Sequence, residues 1–234
     1  MPKKSDKISL IILILLVPAV IICGYFFGSG NGYYITAGIV AAAALLVFFI
    51  SFERGKSKTR EITAVASMTA VAVVSRSLFY MLPEIKPIGA VVIIAAVGFG
   101  WKSGFLIGSL SMFLSNILFG QGIWTPFQML GLGLSAAIAG IILSNKKIGS
   151  HRILSSIIGG IVIFIVYGGI VDTSSVLIMS SDLSVGSVAA VYLAGMPYNG
   201  IFAVTTAVLL ALFGKSLSEK LERVKVKYGI FENI

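Results

Sequence analysis

The sequence predicts an all-α polytopic membrane protein, with about eight spans arranged as an N-terminal helix pair followed by a six-helix core. Three observations predict it. Of 234 residues, 57% are hydrophobic and 12% are charged, with a mean hydropathy of +1.02, whereas a soluble domain carries far more polar surface. Apolar runs of about 20 residues, the length that crosses a bilayer as a helix, recur along the chain. The basic residues gather between alternate runs, so the net charge of +9 reports membrane topology and not a nucleic-acid partner.

The runs fall at roughly 8–27, 33–52, 61–81, 87–100, 103–118, 126–144, 153–172 and 187–213. Lys3, Lys4 and Lys7 precede the first, as in a signal peptide. The small-residue cleavage pattern is missing and Cys23 follows Ile22, so the run reads as a retained helix. The charged segment Glu53 to Arg60 reads as a hinge between the helix pair and the core. The fourth run is short for a straight crossing, and either packs inside the bundle or continues past Gly100. The divisions are then 1–59 for the helix pair and linker, 60–214 for the core and 215–234 for a basic cytoplasmic tail.

Orientation follows from the charges. Lys3, Lys4, Lys7, Arg54, Lys56, Lys58, Arg60, Lys102, Lys146, Lys147, Arg152, Lys215, Lys220, Arg223, Lys225 and Lys227 all lie on one side if the spans alternate. That is 16 of the 18 Lys and Arg, which makes the side cytoplasmic and places both termini inside. The exceptions are Arg76 and Lys86. The outer connections are 28–32, 82–86, 119–125 and 173–186.

Chemistry of the enzymatic kind is missing. The chain has no HExxH, CxxC or GxSxG motif. Gly214-Lys215-Ser216 imitates the end of a phosphate loop, but Leu209 stands where the first glycine is required. A single cysteine, Cys23, excludes a disulfide framework, and the single His151 sits among inner-loop basic residues. No enzyme activity, metal or cofactor is implied.

What remains is polar groups on the outer half. Arg76, with Tyr80 beyond it, closes an apolar run; a cation there costs up to about 2.5–3.5 kcal/mol at a helix centre on insertion scales. It either snorkels to the headgroups, pairs with Glu84 or Asp172, or contacts a ligand. Lys86 is held between Pro83 and Pro87, whose fixed φ stiffens the loop as a binding lid requires. Asn116 ends the next run, and the turn FGQGIWTP brings Gln121 and Trp124 before Gln128. Thr125 is placed to cap the following helix and Pro126 to open it. Asp172 ends the seventh run. Pro197, Tyr198, Asn199 and Gly200 interrupt the eighth, where a proline frees backbone groups toward a cavity. These groups suit a medium-sized organic ligand better than an ion. Small residues mark helix contacts at Gly104, Gly108, Ser111 and Ser115, and at Ala66 and Ala70.

The stretch KPIGAVVIIAAVGFGWKSGFLIGSLSMFLSNILFGQGIWTPFQM resembles substrate-binding S-components of energy-coupling factor (ECF) vitamin transporters, whose bacterial pattern runs KP, a Gly-rich helix pair, SN and FGQGPWTPWQM. This chain departs from it at Ile123 and Phe127, and neither change removes a polar group. The resemblance covers Arg60 to about Gly214. It implies a six-helix core in a bacterial plasma membrane that captures a vitamin from outside, a transmembrane T-component as partner and two cytoplasmic ATPases. It also implies that Ala66 and Ala70, which match the family's AxxxA motif, dock on the T-component. By position it assigns the 82–87 and 118–126 loops, Gln128, Asp172, Tyr198 and Asn199 to the substrate pocket. A corrinoid such as cobalamin is the expected substrate, with riboflavin or another B vitamin as alternatives. A self-sufficient secondary transporter is the competing reading; it needs coupling carboxylates at the membrane midplane.

Overall fold

The computed structural model describes residues 59–179 and 184–231, together with Ile39. The expected N-terminal helix pair lies outside the described residues. Nine α-helices follow one another, with no strand among the described residues: α1 (Thr59–Leu78), α2 (Ile88–Phe99), α3 (Trp101–Phe119), α4 (Thr125–Leu143), α5 (Lys146–Gly149), α6 (Arg152–Val162), α7 (Gly169–Met179), α8 (Val185–Leu209) and α9 (Lys215–Tyr228). A π-helical turn at Ile163–Gly168 joins α6 to α7, and another at Leu210–Gly214 joins α8 to α9. Five of the continuous helical stretches are long and apolar enough to cross a membrane.

The exception is α2. Its 12 residues rise only about 18 Å, short of a hydrocarbon core of about 30 Å. Ten of the 12 are buried, so α2 lies inside the bundle, packed by α1, α3, α4, α8 and α9. This resolves the short fourth run: an apolar helix with no polar face has nowhere to go but the centre. Gly100, at φ 109°, ends α2 and lets α3 start at once.

The most extensive helix contact is between α3 and α4. A Cβ on Gly108 would lie 2.9 Å from the Leu132 carbonyl oxygen and 3.0 Å from the Gly133 Cα. The expected small-residue face of α3, Gly104, Gly108, Ser111 and Ser115, is buried throughout, and Ser109 Oγ donates to the Met129 carbonyl across the same contact at 3.0 Å. Gly108→Leu is therefore expected to cost at least about 1–3 kcal/mol through overpacking. It should appear as loss of monodisperse protein in detergent, while Leu114→Ala on the exposed side of α3 changes little.

Two spans differ from those read in the sequence. The seventh span does not end at Asp172, because the helix continues to Met179. The polar run that looked like an end conceals its hydroxyls: Thr173 donates to the Gly169 carbonyl at 2.7 Å, and Ser174 and Ser175 donate to that of Val171 at 2.7 and 3.1 Å. Pro197 does not interrupt the eighth span, and α8 runs through it. The basic tail is a helix, α9, packed on α2; Leu221 covers Gly98, and Lys225 Nζ donates to the Phe99 carbonyl at 3.4 Å. The π-turn before α9 leaves carbonyls free of the regular ladder. Arg152 takes two of them, donating from Nε to Ala211 and from Nη2 to Leu212, the latter at 2.7 Å.

Candidate functional site

The C-terminal ends of α1 and α3 meet the N-terminal end of α4 at Arg76. Its Nη1 donates to Asn116 Oδ1 at 2.8 Å and Ser115 Oγ at 2.5 Å, and lies 3.3 Å from Met112 Sδ. Asn116 is buried, and its Nδ2 donates onward to Gln128 Oε1 at 2.7 Å and Thr125 Oγ1 at 3.2 Å. One chain of polar contacts thus crosses three helices. Each member satisfies the next, which is what a buried amide and a cation require in a low-dielectric surround. Among the described residues, Arg76 makes its hydrogen bonds through Nη1, so Nε and Nη2 keep their donors. The Phe119 ring lies 5.3 Å from the guanidinium, and Tyr80 stacks on Phe119 at 4.5 Å, 13° from parallel. Cation, aromatic ring and amides share one corner of the bundle.

Of the alternatives for Arg76, this geometry decides the ion pairing. Its partners are Ser115 and Asn116 rather than Glu84 or Asp172. Glu84, in the left-handed region at φ 55°, pairs with Lys86 at 2.7 Å instead. Lys86 is thus part of a loop ion pair, not a lone outward cation. Thr125 does not cap α4 with its side chain; its hydroxyl accepts from Asn116 Nδ2 and from the Gly122 amide, each at 3.2 Å. Ser115 was not singled out for the site from sequence, and Phe119 and Thr125 entered only as part of the 118–126 loop. Ser115 was legible only as packing, although it neighbours Asn116 and stands four residues before Phe119.

Other candidates sit apart. Gln121 donates to the Phe113 carbonyl at 2.9 Å on an exposed edge. Trp124 is 42% exposed and covers Gly122. Tyr198 is 59% exposed, facing away from the interior. Asp172 and Asn199 form a second cluster inside the bundle, where Asn199 Nδ2 donates to Asp172 Oδ2 at 2.8 Å. Asp172 is buried in the first turn of α7, inside the continuous helical stretch that begins at Arg152 and not at its end. Gly195 makes room for it: a Cβ there would lie 2.4 Å from Asp172 Oδ1. Below the first cluster, Tyr167 is buried against Gly131 of α4 and meets Phe202 edge-on at 5.1 Å. Asn199→Ala removes the donor to a buried carboxylate and is expected to cost about 1–3 kcal/mol, read as a lower melting temperature; Tyr198→Ala should leave it unmoved.

Ala66 and Ala70 lie on the exposed face of α1, with Ile62 and Val74, opposite the buried stripe of Glu61, Val65, Thr69 and Ala72. Among the described residues no group of three or more His, Cys, Asp or Glu is arranged to hold a metal.

A family model described as the S component of the ECF-type riboflavin transporter matches residues 56–219, more than half of the chain. The chain matches no curated protein and no solved structure.

Proposed function

Because the chain belongs to the family of ECF-type riboflavin transporter S components, we propose that it captures riboflavin from outside a bacterial plasma membrane and delivers it to an ECF importer. The family is one of transporter subunits, not of enzymes. The corrinoid expected from sequence gains no support from the match, whose description gives riboflavin.

The observation that carries the reading is the Arg76–Asn116–Gln128 chain with Tyr80 and Phe119 beside it. Riboflavin presents a flat aromatic ring system, an imide edge with carbonyl acceptors and one N–H donor, and a hydroxylated ribityl chain. A guanidinium with free donors suits the carbonyls, amides suit the imide, and aromatic faces suit the ring. Lys86, Gln121 and Trp124 contribute from the adjoining outer loops and Asp172 and Asn199 from the second polar cluster, while Tyr198 faces away and drops out of the pocket. Ala66 and Ala70 dock on the T-component, and two cytoplasmic ATPases drive the cycle. The chain crosses the membrane about eight times with both termini inside, as 1–59, 60–214 and 215–234.

Reconstituted with its T-component and ATPases, the protein is expected to move labelled riboflavin into vesicles only when ATP is supplied. Uptake that persists without the ATPases would instead mean a self-sufficient transporter.

A further inference from the structure

Residues 229–231, just after α9, fold back onto the bundle. Gly229 closes the helix in the left-handed region at φ 58°, and Ile230 N donates to the Lys225 carbonyl at 3.1 Å. Phe231 is also left-handed, at φ 60°, a conformation that costs a residue with a side chain energy and persists only when its surroundings enforce it. Here they do. The Phe231 amide donates to Glu61 Oε1 at 2.7 Å, its ring packs on Phe99 at 5.3 Å, and both Ile230 and Phe231 are buried. Glu61 is 4% exposed, and its Oε2 is buried with no hydrogen-bond partner among the described residues. This contact ties residues 170 apart. Beside it, α1 and α9 border an open cleft of about 350 Å³, with Thr63 and Ala64 on one wall and Val224, Tyr228 and Ile230 on the other, bridged at the exposed edge where Arg60 Nη1 donates to the Tyr228 carbonyl at 3.5 Å.

A half-satisfied buried carboxylate and a left-handed phenylalanine are costly ways to end a helix. We propose that Gly229–Phe231 is a releasable strap, gripped by Glu61, that sets the position of the inner half of α1 and with it the presentation of the Ala66/Ala70 face to the T-component. Glu61 is a positioning residue in this arrangement: it touches neither ligand nor partner, but stands on the buried side of the helix whose exposed side carries Ala66, five residues on. The proposal rests on the docking role given to that face.

The test uses the full-length chain in detergent. Glu61→Ala removes the acceptor, Phe231→Ala removes the ring, and Glu61→Gln keeps an acceptor. Hydrogen exchange of residues 59–65 and 225–231 is expected to rise on the order of tenfold or more in the two alanine variants and to stay near wild type in Glu61→Gln. Copurification of the co-expressed T-component should fall in step, and return in Glu61→Gln, while riboflavin affinity is unchanged. A merely structural tie would raise exchange without moving copurification, and that result overturns the proposal, as does unchanged exchange in Glu61→Ala. Ala66→Leu with Ala70→Leu is the separate control. If it leaves copurification intact, the docking face fails and the proposal with it; if it blocks copurification and Glu61→Ala does not, the strap alone fails.

Discussion

Arg76→Ala should lower riboflavin affinity by about 100-fold or more while leaving a folded protein. Truncating one member of a buried, hydrogen-bonded charged set costs about 2–5 kcal/mol, and each 1.4 kcal/mol is tenfold in affinity. Nη1 holds Ser115 and Asn116 in place, so the substitution removes the cation proposed to meet the ligand and also frees the Asn116 side chain that orients Gln128. Both effects fall on binding, because preorganised groups lose less on capture than mobile ones. The fold loses less, since α1 keeps its buried stripe of Val65, Thr69 and Ala72. Arg76→Lys is not expected to rescue, because an ammonium cannot reproduce the planar fork. Asn116→Ala should weaken binding in the same direction. Flavin fluorescence titration of the purified variants checks both; affinity within a few-fold of wild type for Arg76→Ala would remove this corner from the site.

Ala66→Leu with Ala70→Leu should abolish transport and leave ligand binding intact. In lipid, helices associate through close backbone approach, which small residues four apart permit and leucines prevent. Both alanines are exposed, so the larger side chains meet no neighbour within the described bundle and the fold bears little cost. Binding and uptake therefore separate: titration with riboflavin is expected to match wild type while vesicle uptake falls to background. Equal loss of both would show that this face serves the bundle itself.

Much of this was legible before any coordinates, because membrane helices announce themselves by length and apolarity. The six core helices, the buried face at Gly104 and Gly108, and the grouping of Arg76, Asn116 and Gln128 at one end follow from runs, small residues and charge placement. What escaped depends on contacts distant in sequence or on groups that satisfy themselves locally. Thr173, Ser174 and Ser175 read as the end of a span but turn their hydroxyls onto their own helix. Pro197 read as a break, yet the helix carries it without one. Lys86 read as a restrained outward lysine, and nothing in the sequence chooses Glu84 as its partner over other acids. The tail read only as a basic cytoplasmic segment, since its basic residues outweigh Leu221, Ile230 and Phe231 in composition. Only the fold brings those three onto Gly98, Phe99 and Glu61. The preference for a corrinoid had no residue-level basis, because polar groups around a cavity state the chemistry of a ligand and not its name.

The most direct measurement is equilibrium binding of riboflavin to the purified wild-type protein, followed by quenching of flavin fluorescence, with other vitamins and a corrinoid as competitors. Saturable binding of one riboflavin per chain, undisturbed by the corrinoid, is the expected result. No saturable binding of riboflavin, or its displacement by the corrinoid at equal concentration, would contradict the assignment.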